Sequence, residues 1–215
     1  MAQRFVNYQI ELNKKLAVID AGGIKPTLLL HVCCAPCSSY VMEYLTQYFR
    51  VSLFYYNPNI WPPEEYVKRL SELDRLVSEA PFTKDVPRLP TDYDPSEYDA
   101  VTKGIEQEKE GGPRCAECFR LRLYKTAEAA KAGNFDYFTT TLTVSPHKNA
   151  KLLNAVGKEA GEKYGVEYLF SDFKKNRGFD RSLELSEEYS LYRQEYCGCK
   201  YSYDDSDETC WDYKK

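Results

Sequence analysis

Seven of the eight cysteines in this sequence occur in three short clusters. The sequence opens without the apolar stretch of a secretory signal, so we expect its thiols to be kept reduced rather than paired as a disulfide framework. Clustered reduced thiols indicate a metal site, redox chemistry or both. The clusters are Cys33, Cys34 and Cys37; Cys115 and Cys118; and Cys197 and Cys199.

The first two clusters together offer five thiolates. Cys33, Cys34 and Cys37 fall on a predicted turn from a strand into a helix, and a helix N-terminus stabilises thiolates. The C-x-x-C spacing of Cys115 and Cys118 is typical of both zinc and iron–sulfur sites. Adjacent cysteines are awkward ligands for one zinc tetrahedron, whereas a cluster of several irons accommodates them more easily. Zinc stays open as the alternative.

The third cluster is a Cys-Gly-Cys sequence. Gly198 leaves room for the tight ring that a Cys197–Cys199 disulfide would need, and strain would make that bond easy to reduce. Two hypotheses follow: a redox-active pair, or further metal ligands. Cys210 stands alone in a polar tail, and we predict that it has no functional role.

Short apolar runs alternate with amphipathic stretches along the chain, which predicts an α/β fold with a mainly parallel sheet flanked by helices. Between the second and third strands, residues 81–95 are predicted to be mostly loop, with one short strand at most. The predicted strands are 28–32, 51–56, 136–141 and 167–170, and the predicted helices are 3–20, 39–49, 63–79, 96–108, 115–132, 147–164 and 184–196.

Polar residues follow the predicted strands, at the sheet edge where α/β proteins bind their ligands. Hydroxyl, amide, imidazole and ammonium groups at such positions suit a phosphate or a ribose. Lys174 and Lys175 begin a basic stretch that is either a solvated face or a contact for a nucleic-acid backbone. The candidate substrate-binding residues are Asn57, Asn59, Thr141, Ser145, His147, Lys148, Lys174 and Lys175.

Charge and length limit the function further. The 215 residues carry a net charge of −4, which argues against gripping a long nucleic acid through bulk charge. Residues 203–215 hold five acidic residues and two lysines, so the remaining body is nearly neutral. We predict one domain over residues 1–202 and an acidic tail over 203–215. No apolar run approaches the ~20 residues of a membrane span, so we expect a cytoplasmic protein without a membrane partner.

Five segments resemble the epoxyqueuosine reductase QueH family, in order and over about residues 7–202. The resemblance implies a HUP-like (Rossmann-like) domain with a helical, cysteine-bearing portion covering the carboxyl ends of the strands. It also implies cobalamin-independent reduction of epoxyqueuosine to queuosine at the wobble position of tRNA, the last step of queuosine biosynthesis. The segments are Leu29–Ser39, Tyr56–Ile60, Arg114–Phe119, Thr140–Asn149 and Tyr192–Cys199.

The same resemblance implies the cofactors and partners. A [4Fe-4S] cluster would be held by Cys33, Cys34, Cys115 and Cys118, and an additional mononuclear iron would take Cys37. Cys197 and Cys199 would be the redox-active pair. The partners would be a tRNA that carries epoxyqueuosine and an electron donor that the sequence does not identify. Two other functions stay open: a zinc-stapled tRNA-binding module without redox activity, and a metal-free thiol–disulfide oxidoreductase.

Overall fold

A short apolar strand lies at the centre of a five-stranded sheet in which every neighbouring pair is parallel. The structure is a computed structural model that describes residues 6–204. The strand order is β3-β2-β1-β4-β5. The strands are β1 (Thr27–His31), β2 (Arg50–Phe54), β3 (Arg88–Leu89), β4 (Tyr137–Thr140) and β5 (Glu167–Tyr168). This architecture confirms the predicted α/β fold class.

Helices connect the strands and cover both faces of the sheet. Helix α5 packs on β1 and β4, whereas α2 packs against α3 and α7. Two 3₁₀ turns, Pro81–Thr83 and Thr141–Val144, complete the regular structure. The helices are α1 (Tyr8–Gly22), α2 (Ala35–Leu45), α3 (Pro63–Glu79), α4 (Pro95–Thr102), α5 (Pro113–Ala132), α6 (Ala150–Tyr164), α7 (Gly178–Glu188) and α8 (Lys200–Asp204).

The continuous apolar run of β1 reflects burial on both faces of the sheet. Leu28 and Leu30 pack with Met42 of α2 on one face. Leu29 points to the opposite face and packs with Phe138 of β4. All three leucines are fully buried, and burying a leucine side chain contributes about 1.5–3 kcal/mol. The central strand is therefore a rigid base for the residues that follow it.

The switch point of the sheet lies between β1 and β4, because β2 and β3 lie on one side of β1 and β4 and β5 lie on the other. These strands are neighbours, and His31 is in register with Thr140 at their carboxyl ends. In open α/β sheets this position is a crevice in which ligands bind. Cys33 follows β1 and Thr141 follows β4, so both loops open at the same edge of the sheet, as the sequence predicted.

Most helices begin a few residues away from the predicted positions, and the helix predicted over residues 96–108 ends at Thr102. Two of the differences concern the site. Helix α2 begins at Ala35 rather than residue 39, because Pro36 suits the first turn of a helix. This start places Cys37 within the helix. Helix α6 begins at Ala150 rather than residue 147, because the Asn149 side chain caps it by accepting a hydrogen bond from a backbone N–H.

The prediction of a helix over residues 184–196 is wrong beyond Glu188, where α7 ends. Ser190 has a left-handed backbone with φ of 48°, which stops a right-handed helix. The chain then runs without helix or strand to the last described cysteines, and we call residues 189–199 the cysteine segment. Its backbone is held by tertiary hydrogen bonds such as Tyr192 N to Glu72 at 2.7 Å. These bonds replace the helical ones.

The described residues include no helix that is both long enough and apolar enough to cross a membrane. Cys210 and nearly all of the predicted acidic tail, 203–215, lie outside the described residues. The domain boundary at residue 202 therefore stays a prediction.

Candidate metal and redox site

Cys33, Cys34 and Cys37 form a compact group beyond the carboxyl end of β1, which we call the first cysteine group. Their sulfur atoms all lie within 4.8 Å of one another, and the Sγ atoms of Cys33 and Cys34 are 3.7 Å apart. Cys33 and Cys34 occupy the turn into α2, and Cys37 lies in its first helical turn. Three thiols in this arrangement could bind a metal ion.

The three thiols of this group do not have equal pKa values. Hydrogen bonds from Cys34 and Cys37 hold the pKa of Cys33 well below its usual range. The hydrogen bond with Cys33 raises the pKa of Cys34 to about 12, and the pKa of Cys37 is raised for the same reason. Cys33 is therefore the thiol of this group that ionises most readily.

The remaining four described cysteines form the second cysteine group. Cys115 and Cys118 lie in the first two turns of α5, and Cys197 and Cys199 lie at the end of the cysteine segment. Cys118 and Cys199 pack with Tyr98 in one apolar cluster. Burial raises the pKa of Cys118 to about 12 and that of Cys197 to about 11. These buried thiols ionise readily only next to a positive charge or a metal.

The predicted ligand set of Cys33, Cys34, Cys115 and Cys118 spans both groups. Within residues 6–204, the first group is the one set of three or more potential metal ligands gathered within 4.8 Å. The wider set does not share that compactness, and its assignment to one cluster stays a prediction. All seven described cysteines carry free thiols.

A buried guanidinium reaches both groups. Arg122 of α5 is only 3% exposed, and its Nη1 atom lies 3.9 Å from the Cys118 sulfur. Among the described residues, no carboxylate forms an ion pair with it. Burial opposes the charge of Arg122, but Cys118 and Cys33 outweigh that effect and raise its pKa. A buried cation needs an anionic partner, and among the described residues the groups that raise the Arg122 pKa are Cys118, Cys33 and Cys197.

Two side chains at the ends of β1 and β2 hold Arg122 in place. The Nη2 atom donates to Asn57 Oδ1 at 2.6 Å, and Nε donates to His31 Nε2 at 3.3 Å. His31 in turn contacts Thr140 Oγ1 through Nδ1 at 2.8 Å. Burial, with the charge of Arg122, lowers the pKa of His31 to about 3. His31 is therefore neutral at neutral pH. Its tautomer with the proton on Nδ1 donates to Thr140 and accepts from Arg122 at Nε2, whereas the other tautomer donates from Nε2 to the Tyr56 carbonyl at 3.2 Å.

Nitrogen donors point at sulfur atoms throughout the site. Such hydrogen bonds tune the potential of a metal bound to thiolates and orient its ligands. Besides Arg122, the donors are Gly111 N to Cys115 at 3.2 Å, Gln194 Nε2 to Cys34 at 3.3 Å and Lys148 Nζ to Cys197 at 3.5 Å.

A small cavity of about 30 Å³ separates the two groups, enough for roughly two water molecules. Ser145 Oγ and Gln194 Oε1 are buried beside it without a hydrogen-bond partner among the described atoms. Buried polar atoms are rarely left unpaired, so these positions favour a polar ligand. The polar and sulfur-bearing residues that line the cavity are Cys33, Cys37, Arg122, Ser145, Lys148, Ser182, Arg193, Gln194 and Cys197.

The cavity brings together two of the eight predicted substrate-binding residues, Ser145 and Lys148. Burial opposes the charge of Lys148, but Cys197 and Cys33 outweigh it and raise its pKa. Asn57 and Thr141 are fully buried. Asn57 supports Arg122, and Thr141 Oγ1 lies 3.9 Å from Cys33 Sγ. Both residues contact groups of the site, and their role in substrate binding stays a prediction.

The other four predicted substrate-binding residues lie outside the cavity lining. His147 and Lys175 are exposed, and Lys174 forms an ion pair with Asp172 at 2.7 Å. Asn59 lies in a separate groove beyond β2. The structure therefore leaves the roles of these four residues as predictions.

Gly198 is required where it stands, between Cys197 and Cys199. Its φ of 120° is a conformation that other residues rarely adopt. A Cβ atom would lie 2.7 Å from Nη1 of Arg69. That same nitrogen donates to the Cys197 carbonyl at 3.2 Å, and Arg69 is paired with Glu65 at 2.7 Å in the interior. Helix α3 thus fixes the Cys-Gly-Cys turn.

Sequence reasoning missed Arg69, Arg122 and Gln194. A signal for Arg122 was present: it follows Cys118 by four residues in a predicted helix, so the two side chains share a face. Arg69 and Gln194 carried no comparable signal. Arg69 lies 128 residues from the Cys197 carbonyl that it binds, and Gln194 lies 160 residues from Cys34.

A family model described as epoxyqueuosine reductase QueH matches residues 28–205, which include all seven described cysteines. The chain belongs to this family. QueH of Streptococcus pyogenes is 46% identical over 199 residues, which cover 92% of this chain and 78% of the relative. QueH of Staphylococcus epidermidis is 40% identical over 208 residues, 94% of this chain and 87% of the relative.

A more distant relative gives the same result. QueH of Thermotoga maritima is 37% identical over 179 residues, covering 82% of this chain and 90% of the relative. Membership of the QueH family confirms two predictions made from the sequence, the family resemblance and the enzyme class, an oxidoreductase.

Proposed function

We propose that this QueH protein reduces epoxyqueuosine to queuosine at the wobble position of tRNA and uses a [4Fe-4S] cluster to do so. Family membership supports the reaction. The single observation that supports this cofactor is the buried side chain of Arg122. Among the described residues, the negative charges that stabilise its guanidinium are thiolates rather than carboxylates. Thiolates that balance a buried cation are the ligands that an iron–sulfur cluster takes.

The donor set fits such a cluster. Cys33, Cys34, Cys115 and Cys118 would hold it, and Cys37 would bind an additional mononuclear iron. Soft thiolate donors with N–H groups directed at sulfur are typical of iron–sulfur sites. When bound, the cluster would pass electrons one at a time from the electron donor to the Cys197–Cys199 pair.

The reaction sets requirements that the chain's own groups must meet. Opening the epoxide to an alkene consumes two electrons and two protons, and the oxygen leaves as water. Lys148 lies in the cavity lining with a raised pKa, so it is protonated at neutral pH. We assign to its ammonium group the donation of a proton to the departing oxygen, with Ser145 as the hydroxyl that binds the same oxygen.

Cys197 and Cys199 would supply the electron pair. Oxidation of two thiols to one disulfide releases two electrons and two protons, which balances the reduction of one epoxide. Reduction of that disulfide by the electron donor would complete the cycle. The contact between Lys148 and Cys197 places this pair beside the proposed proton donor.

Anaerobic purification with iron and acid-labile sulfide analysis tests this proposal. We expect a brown protein with about four irons and about four sulfides per chain, and one more iron where Cys37 binds the additional metal. Reduction of epoxyqueuosine in tRNA should accompany the cluster. Cys115→Ser should lose colour, iron and activity together, whereas Cys210→Ser, the control, should lose none of them.

The two competing functions give different results. A colourless protein with stoichiometric zinc would indicate a zinc-stapled tRNA-binding module. Activity that survives chelation and an iron-free preparation would indicate a metal-free thiol–disulfide oxidoreductase. The expected cytoplasmic location and the absence of a membrane partner stay predictions.

A further inference from the structure

Two aromatic side chains in the described part of the chain are exposed, and both belong to residues that contact Tyr196. Trp61 is 42% exposed and Tyr203 is 48% exposed. The other exposed large hydrophobic residues of residues 6–204 are aliphatic: Val6, Ile10, Val18, Ile24 and Val67. Exposed aromatic rings cost free energy in water, so these two side chains suggest a partner that covers them.

Both exposed residues contact Tyr196, the residue that precedes the Cys-Gly-Cys turn. The Tyr196 hydroxyl donates to the Trp61 carbonyl, and the Tyr196 and Tyr203 ring centroids are 5.3 Å apart. The Trp61 N–H also donates to the Gly198 carbonyl at 2.7 Å. The backbone of Trp61 and the ring of Tyr203 therefore both adjoin the segment that carries the proposed electron source.

A groove beside Trp61 adds a hydrogen-bonding group. It has a volume of about 330 Å³ and is also lined by Asn59, Tyr98 and Lys200, within the ~300–1,000 Å³ range of small-ligand sites. Asn59 is only 3% exposed, and its Oδ1 atom has no hydrogen-bond partner among the described residues. An unpaired buried acceptor is costly, and the amino group of a nucleobase would satisfy it.

We propose that Trp61 and Tyr203 form a stacking surface for unpaired RNA bases next to the reactive nucleotide, with Asn59 accepting a hydrogen bond from one of them. This inference rests on the proposed tRNA substrate. Proteins that bind RNA loops stack splayed bases on aromatic side chains. Stacking also supplies affinity without a large positive charge, which suits a chain with a net charge of −4.

Tryptophan fluorescence makes the contact directly observable. The chain has two tryptophans, Trp61 and Trp211, so Trp211→Phe leaves Trp61 as the single reporter. An anticodon stem–loop RNA should quench its emission on binding. Trp61→Ala and Tyr203→Ala should each weaken RNA binding roughly tenfold, while Trp61→Phe should retain most of the affinity because it keeps a stacking ring. Val18→Ala, which removes an exposed apolar side chain from α1, should bind RNA like the wild type.

The outcomes separate this inference from the proposed function. Unquenched Trp61 emission, or full RNA affinity in a folded Trp61→Ala variant, would overturn the stacking surface while the reductase function stands. Normal RNA affinity with slowed turnover would overturn it in favour of a docking surface for a protein electron donor. A wild-type protein that binds no stem–loop would instead remove the proposed RNA substrate.

Discussion

The two cysteine groups are assembled in different ways. The first group lies within five residues on one strand-to-helix turn, and its sulfur atoms converge within 4.8 Å. The second group draws on the start of α5 and on the end of the cysteine segment, about eighty positions later in the sequence. The backbone of the sheet therefore positions the first group, whereas tertiary contacts must bring the second group together.

Side chains of α3 supply several tertiary contacts of the cysteine segment. Glu72 accepts from Tyr192 N at 2.7 Å, Arg75 donates to the Tyr189 carbonyl at 2.9 Å, and Arg69 holds the Cys197 carbonyl. A segment that is held by side chains can shift locally without unfolding the sheet. This difference fits the proposed roles, in which the first group holds metal and the Cys197–Cys199 pair forms and breaks a disulfide.

The largest effect is expected from removing the thiols of either group in pairs. The double variant Cys197→Ser/Cys199→Ser should lose epoxide reduction to background while keeping its iron and visible spectrum. Cys33→Ser/Cys34→Ser should lose iron and activity together, because two of four proposed ligands are gone. Iron analysis and single-turnover assays on the same anaerobic samples compare the iron content and the activity of the two double variants.

Two results would contradict the different roles proposed for the two cysteine groups. Iron lost from Cys197→Ser/Cys199→Ser in proportion to activity would make the pair metal ligands. Full activity in that variant would remove the pair from the reaction.

The first group could be predicted from the sequence because everything that builds it is local. An apolar strand, a turn and a proline at the start of a helix are readable from residues 28–39, and the topology places the turn at the ligand-binding edge. The cysteine segment could not be predicted, because its course depends on Glu72, Arg75 and the left-handed Ser190 rather than on helical periodicity. Long-range hydrogen bonds of this kind leave no periodic signal.

An intermediate effect is expected at Arg122, which reaches both groups. Arg122→Gln removes the buried positive charge beside Cys118 and should lower the reduction potential of the bound cluster, because a thiolate-bound cluster loses a compensating cation. Activity should fall by about 10–100-fold, as is typical for residues that support metal ligands. Spectroelectrochemical titration measures the potential independently of turnover.

Arg120→Gln is the matched control for this effect. Arg120 lies two residues earlier on α5 and forms an exposed ion pair with Glu117, which contributes about 0–1 kcal/mol. Its potential and activity should stay at wild-type values. Equal potentials in Arg122→Gln and the wild type would show that Arg122 acts through packing alone. That result would contradict an electrostatic effect of Arg122 on the two cysteine groups.

The smallest effect is expected at Lys174 and Lys175, which test whether RNA is also held on the side of the first group. They follow β5, and the backbone N–H of the neighbouring Phe173 donates to Oγ1 of Thr143 at 3.3 Å. Thr143 lies two residues after Thr141, whose Oγ1 atom is 3.9 Å from Cys33 Sγ. Asp172 already neutralises much of the Lys174 charge, so Lys174→Glu/Lys175→Glu should weaken tRNA binding only a few-fold. The slope of log affinity against log salt concentration should flatten by about 0.7–0.9 per lost phosphate contact.

Lys25→Glu/Lys84→Glu is the control, because it makes the same charge change beside a groove at the amino ends of the strands. It should leave both the affinity and the salt slope unchanged. Identical salt slopes for the two double variants would show that Lys174 and Lys175 are a solvated face, and RNA contacts would then be confined to the side of the second group.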